Sequence, residues 1–274
     1  MTKYTDKTER VKHMSIDLFK AFASVKEDKN WIKKILIGGL LVLAAALLDI
    51  GSSYLLEKSQ YVWSLLLLVL MVVAGMYPLA FIFSTLHKQI NSDSNAMSEW
   101  NEKNLLLSGF KAAVANLLMG IVYIVLFGVV FCLFLVSVMI LQTNALLGII
   151  MMLLSIILSF IWILLMYLLL PLSYACYGKT LKITSIVNFK KIFAIFTQNQ
   201  SKVWLLFAWF ILYSIIVPVA YVILVVSVVG ILLIPFFTFY LWIVVMNLIA
   251  QFGRDVNIDK YFVREKFVIR SKAT

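Results

Sequence analysis

The chain has 274 residues, of which 63% are hydrophobic and only 14% charged, yet its formal net charge is +11 from 24 Lys+Arg against 13 Asp+Glu. Soluble domains are roughly 45–50% apolar and about 25% charged, so this composition excludes a disordered chain and a lone soluble domain. A pI of 9.6 alone would suggest nucleic-acid binding, but on so apolar a chain it points to a polytopic membrane protein and no nucleic-acid partner.

Residues 1–34 are polar and hold nine of the basic residues. They lack the short apolar core and small-residue cleavage site of a secretory signal. Leu18, Phe19, Phe22 and Val25 fall on one helical stripe, with Lys20, Ser24 and Glu27 off it, which predicts a short amphipathic helix over 14–29. Crossing a hydrocarbon core takes about 20 apolar helical residues. Such runs follow at Ile35–Leu56, Tyr61–Leu86, Ala112–Leu141 and Ala145–Cys176. Between the second and third, the turn-rich NSDSNAMS stretch (91–98) is expected to be the most flexible internal segment. Asp93, Glu99 and Glu102 read there as a solvated acidic loop.

After the fourth run, Tyr177–Lys202 carries Lys179, Lys182, Lys190, Lys191 and Lys202 and no acid. Within it Ile186, Phe189, Ile192, Phe193 and Phe196 form a second amphipathic stripe. Both short helices are expected to lie in the membrane interface, where they cap the bundle or bind a partner or anionic lipid headgroups. Val203–Phe252 is uncharged and as one helix would be about 75 Å long, so it must reverse. Gly230, followed by Pro235, is the predicted reversal, giving spans near 203–228 and 231–252.

Alternate connecting segments divide the cations 23 to 1, with Lys58 the single exception. The positive-inside rule then gives six spans with both termini cytoplasmic. The expected protein is an all-α bundle of six transmembrane helices in the cell membrane (35–252), with short amphipathic cytoplasmic helices. A cytoplasmic N-terminal segment (1–34) precedes the bundle and a basic tail (253–274) follows it.

Residues that carry chemistry are few. There is no P-loop, nucleophile elbow, HExxH or His/Cys/Asp/Glu spacing for a metal, so no cofactor is expected. Cys132 and Cys176 lie in apolar runs and read as buried hydrophobes. The candidate intramembrane polar residues are Asp49, Ser52, Ser53, Asn116, Asn247 and Gln251. Ser52 and Ser53 stand at i+3 and i+4 from Asp49, where their hydroxyls reach its carboxylate; pairing of Asp49 with Lys58 is the alternative. Asn116, Asn247 and Gln251 suit interhelical hydrogen bonds. Gly38, Gly39, Ala44–Ala46, Ala112, Gly120 and Gly128 suit close helix approach. Trp31, Trp63, Trp100, Trp204 and Tyr177 fall near helix ends, as an interfacial belt expects.

Two stretches, NWIKKILIGGL at Asn30–Leu40 and SEWNEKNLLLSGF at Ser98–Phe110, resemble a bacterial and archaeal membrane family of unknown activity, domain of unknown function 4013. In that family a Trp–Ile–Lys–Lys motif enters the first membrane helix and a Gly pair follows; here these are Trp31, Ile32, Lys33, Lys34, Gly38 and Gly39. A Glu–Trp pair after the second helix and a Gly opening the third correspond to Glu99, Trp100 and Gly109. The family often has Pro before that Glu, where this chain has Ser98. Similarity around Asn188–Asn199 is looser. The resemblance implies fold and class only. Physically, Trp31, Lys33 and Lys34 would anchor the inner end of span one, and the Gly pair would admit another helix or the loop of Trp100.

The function these features suggest is a non-enzymatic membrane scaffold, accessory or protective factor, for example one tied to immunity or export. It would act through its basic cytoplasmic face on lipid, on a membrane-protein partner or on a second copy. The alternatives are a small transporter or permease subunit with a path near Asp49 and Asn247 and, third, a membrane enzyme.

Overall fold

A computed structural model describes residues 16–92, 95–102 and 104–262. The described residues are 88% helical, and none of them lies in a strand. The described helices are α1 (Leu18–Ser24), α2 (Trp31–Glu57), α3 (Tyr61–Asn91), α4 (Leu105–Thr143), α5 (Ala145–Thr180), α6 (Ile183–Ile186), α7 (Phe189–Gln198), α8 (Gln200–Val226) and α9 (Val228–Asp255). Six of them, α2, α3, α4, α5, α8 and α9, are long and apolar enough to cross a membrane. The chain is a multi-pass membrane protein.

The long helices overrun their apolar stretches at one end, called the basic end below. There α2 begins at Trp31 rather than Ile35, α3 continues past Leu86 to Asn91, α4 begins at Leu105 rather than Ala112, and α5 continues past Cys176 to Thr180. Hydropathy marks only the apolar part of a helix. The ladder of backbone hydrogen bonds continues as long as polar side chains on the extra turns find partners.

The reversals are set by caps. The last falls at Ser227, three residues before the expected Gly230. Ser227 is extended (φ −94°, ψ 122°), and its hydroxyl accepts from the Gly230 N–H at 3.2 Å, an N-cap that fixes where α9 starts. Gly230 serves a second purpose, since a Cβ there would lie 2.2 Å from the Leu224 carbonyl oxygen. The α4–α5 turn repeats the device. Asn144 accepts from the Leu147 N–H at 3.1 Å, and a Cβ on Gly148 would lie 2.4 Å from the Leu141 Cα. At the α2–α3 turn Ser59 is left-handed (φ 58°). Below it, the Ser52 hydroxyl donates to the Ser64 carbonyl (2.9 Å) and the Ser64 hydroxyl to the Ser52 carbonyl (2.8 Å).

α3 is central, packing on α2, α4, α5 and α9. The core sits at the basic end, where α3, α5 and α9 finish and α2, α4 and α8 begin. Phe81, Leu86, Leu172, Tyr177, Phe239, Leu248 and Phe252 are fully or almost fully buried there. Towards the far end the large apolar side chains are mostly exposed, as lipid contact requires.

The two short helices do not simply float in the interface. α1 packs on α9 and buries Leu18, Ala21 and Ser24, with Val25 buried just after it, leaving Phe19 exposed. α7 buries Ile192 and Ile195 and leaves Phe189 and Phe193 exposed. In both cases the docked stripe includes a smaller residue, and a predicted aromatic turns outward. One of the expected interfacial aromatics is inside, Tyr177, buried edge-on to Phe83, and Trp100 is half-buried against the core. Cys176 is buried as expected, but Cys132 is exposed on an outer face. Gly120 and Gly128 have no neighbour within 4 Å of a built Cβ, so close helix approach does not explain them. Residues 1–15 and 263–274, which include the first two positions of the expected 14–29 helix and most of the basic tail, lie outside the described residues, as do Asp93 and Lys103.

Candidate functional site

The motif residues of the first and second helices converge at the basic end around one buried cation. Lys34, in the first turn of α2, is 3% exposed, and its ammonium donates to Asp28 Oδ2 at 2.9 Å and Glu99 Oε1 at 2.6 Å. The Met97 carbonyl accepts the remaining direction at 3.5 Å, so each of the three ammonium donors has an acceptor. Asp28 in turn accepts from the N–H groups of Asn30 (2.9 Å) and Met97 (3.1 Å). Lys33, next in sequence, is exposed. The two lysines expected to act alike as headgroup anchors therefore divide, one outward and one into an ion-paired interior.

The loop carrying Glu99 is ordered by this site. Met97 and Ser98 are buried, the Ser98 N–H donates to Thr85 Oγ1 (3.1 Å), and the Ser98 hydroxyl donates to Glu102 Oε1 (2.6 Å). The part of 91–98 that is described is thus packed rather than loose, and Glu99 and Glu102, though exposed as expected, also bond Lys34 and Ser98. Trp100 donates from Nε1 to the Lys34 carbonyl at 3.3 Å and stacks on Phe81, with ring centroids 4.2 Å apart. Phe239 of α9 lies beyond it, 5.8 Å from both rings. The Gly pair makes room: a Cβ on Gly38 would meet the Phe239 ring at 2.1 Å, and one on Gly39 the Phe236 ring at 2.2 Å. Close approach at the Gly pair therefore holds, and the element admitted is α9.

Burial raises the Asp28 carboxyl, but the Lys34 ammonium and the N–H groups of Asn30 and Met97 outweigh it and hold it below the ordinary carboxylate value. A group depressed in the folded state contributes fully above its unfolded value, about 3.9. The contribution is lost as pH falls through the folded value. The melting temperature of the detergent-solubilised protein should therefore fall below about pH 4, and Asp28→Asn should flatten that dependence; equal slopes in both proteins would contradict the assignment.

The remaining candidates are dispersed. Asn247 donates to Ser24 Oγ (2.8 Å) and the Ala21 carbonyl (3.3 Å), and Gln251 Oε1 accepts from the Asp17 N–H (2.9 Å). These two amides moor α1 to α9 instead of joining membrane spans. Asn116 bonds its own turn and accepts from the Tyr174 hydroxyl at 2.7 Å, an interhelical link as expected. Of the basic patch, Lys179 is paired with Asp259, Lys202 bonds the Asp255 carboxylate (3.2 Å) and carbonyl (2.6 Å), and Lys191 lies 4.2 Å from the Phe262 ring centroid. Lys182 and Lys190 stay exposed. The acids absent from Tyr177–Lys202 are supplied by residues at and after the end of α9.

Asp49 is elsewhere. It is exposed, lines a cleft of about 590 Å³, and has no hydrogen-bond or ion-pair partner among the described residues. Ser52 is engaged instead with Ser64 across the α2–α3 hairpin. Lys58 lies 5.7 Å from the Tyr54 ring centroid rather than on Asp49. Ser53 makes no contact with the carboxylate.

Sequence reading missed Asp28, Met97, Phe81 and Phe239, which complete the Lys34 site. The only local signal was an acid six residues before a lysine at a helix start; the aromatic partners come from distant helices.

Residues 63–229 match the family described as Protein of unknown function (DUF4013), which is more than half of the chain, and the chain belongs to that family. The match contains Glu99, Trp100 and Gly109, while Asp28, Lys34, the Gly pair and Phe239 lie outside it. No curated protein and no solved structure matches the chain.

Proposed function

Taking membership of that family as the starting point, we propose that the chain is a non-enzymatic scaffold or accessory factor of the cell membrane. In this reading both termini are cytoplasmic and the basic end is the working surface. One observation carries the reading: the charges at that end divide by role. Lys34, Lys179 and Lys202 are consumed in ion pairs that knit the ends of the helices together, whereas Lys33, Lys182 and Lys190 remain outward. Lys190 follows the exposed Phe189 on α7, one turn from the exposed Phe193. Exposed aromatics beside cations on a helix docked at a membrane surface suit an anionic lipid face or an acidic partner. A permease path is less well supported, since the Asn247 NH2 group bonds α1 and Asn247 does not line the cleft of Asp49.

The test is photo-crosslinking in intact membranes from a reactive residue placed at position 193, with position 226 at the far end as control. Adducts to lipid or protein are expected from 193, falling at least threefold on combining Lys182→Glu with Lys190→Glu at unchanged protein level. Equal adducts from both positions, or no response to charge reversal, would overturn the proposal.

A further inference from the structure

We infer that the cleft beside Asp49 binds a lipophilic monocation, an onium or ammonium charge carried on an apolar body. The cleft lies between α2 and α3, with α9 contributing Trp242, and its volume of about 590 Å³ falls in the range of small-molecule sites. Asp49 is the single ionisable residue in the lining. It stands eight residues before the end of α2, about 12 Å along the helix and within the apolar stretch. An acid at that depth is costly unless it meets an opposite charge, and no described cation reaches it.

The room is built into the sequence. Gly38, Gly39 and Gly109 are glycines because another side chain or backbone occupies the place of their Cβ; Gly75, like Gly120 and Gly128, faces nothing within 4 Å, and of these three it is the one that lines the cleft. A glycine inside a helix costs about 1 kcal/mol relative to alanine, and here no packing contact accounts for it. Its effect is space in the cleft wall, opposite the small Ala45 and beside the adaptable Met71. Trp242 adds an aromatic face, to which a diffuse cation is attracted.

The chemistry selects the occupant. A metal ion needs several oxygen ligands, and the lining has a single carboxylate. A phosphate would be repelled. The amine of a bilayer lipid sits at headgroup level, above a carboxylate about 12 Å down the helix. A cation that itself partitions into the apolar layer satisfies both the walls and the charge.

The experiment is equilibrium dialysis of radiolabelled tetraphenylphosphonium against the full chain in dodecylmaltoside micelles. Saturable binding near one per chain is expected, weakened at least tenfold by Asp49→Asn and abolished by Gly75→Leu. The neutral triphenylphosphine oxide should not compete. Melting temperatures establish that the variants fold, and Ala45→Phe replaces Gly75→Leu if the latter does not. Non-saturable binding, or affinity unchanged by Asp49→Asn, overturns the inference. Displacement of the probe by added phosphatidylethanolamine would also overturn it, by making a lipid amine the occupant.

Discussion

Lys34→Ala is expected to destabilise the protein by about 3–5 kcal/mol, the usual result of removing one member of a buried ion pair. The loss is not symmetrical across the cluster. Asp28 is only 8% exposed, so without Lys34 its charge is left largely uncompensated, and two N–H groups hold it in place. Glu99 is 53% exposed and can turn to solvent. Glu99→Gln should therefore cost about 1 kcal/mol or less, as exposed pairs do, whereas Asp28→Ala should approach the cost of Lys34→Ala. Lys34→Met combined with Asp28→Asn should recover a large part of the loss, because a neutral pair of similar volume leaves no stranded charge. The check is thermal unfolding in detergent followed by tryptophan fluorescence, since Trp100 bonds the Lys34 carbonyl. Equal costs for Lys34→Ala and Glu99→Gln would show that the cluster is effectively solvated.

Gly109→Val is expected to have the second large effect, for a steric reason. A Cβ at Gly109 would lie 2.2 Å from the Met76 carbonyl oxygen and 2.9 Å from its carbon. These are backbone atoms of α3 and cannot swing aside as a side chain can. Even Gly109→Ala must push α4 away from the central helix, at about 1–3 kcal/mol for overpacking, and valine should exceed that and lower the yield of folded protein. Gly120→Ala is the control on the same helix. Nothing stands within 4 Å of its built Cβ, so the change should be neutral or, from helix propensity, stabilising by up to about 1 kcal/mol. Melting temperature and monodispersity after solubilisation distinguish the two. Similar behaviour at positions 109 and 120 would mean that the α3–α4 contact is not close.

The motif glycines and lysines illustrate how far local pattern reaches. That Gly38 and Gly39 admit a neighbour was legible, because two glycines inside an apolar helix cost stability and so point to close approach. Which neighbour it is was not, since Phe236 and Phe239 lie about 200 residues away in sequence. Lys33 and Lys34 are identical as letters, and the difference between them is a rotation of about 100° around α2, which faces one to water and the other to Asp28 and Glu99. Asp49 shows the limit for polar pairs. Ser52 had the right spacing to serve it, but its hydroxyl bonds Ser64 across the hairpin.

Composition, apolar run length and the one-sided distribution of cations determined by themselves that this is an all-helical, six-span membrane protein. The hydrophobic effect acts on each helix separately, and a span can be read without its neighbours. Caps such as Ser227 and Asn144 also act locally and were readable in principle. The tertiary structure alone decided which charges meet: Lys34 with Asp28 and Glu99, and Lys179 and Lys202 with acids at and after the end of α9. It also left Asp49 in an open cleft without a partner among the described residues. Such pairings depend on the rotation and register of helices packed far from one another in sequence, and an apolar side chain of almost any register satisfies lipid. Close polar and steric contacts, above all those at the basic end, select one arrangement.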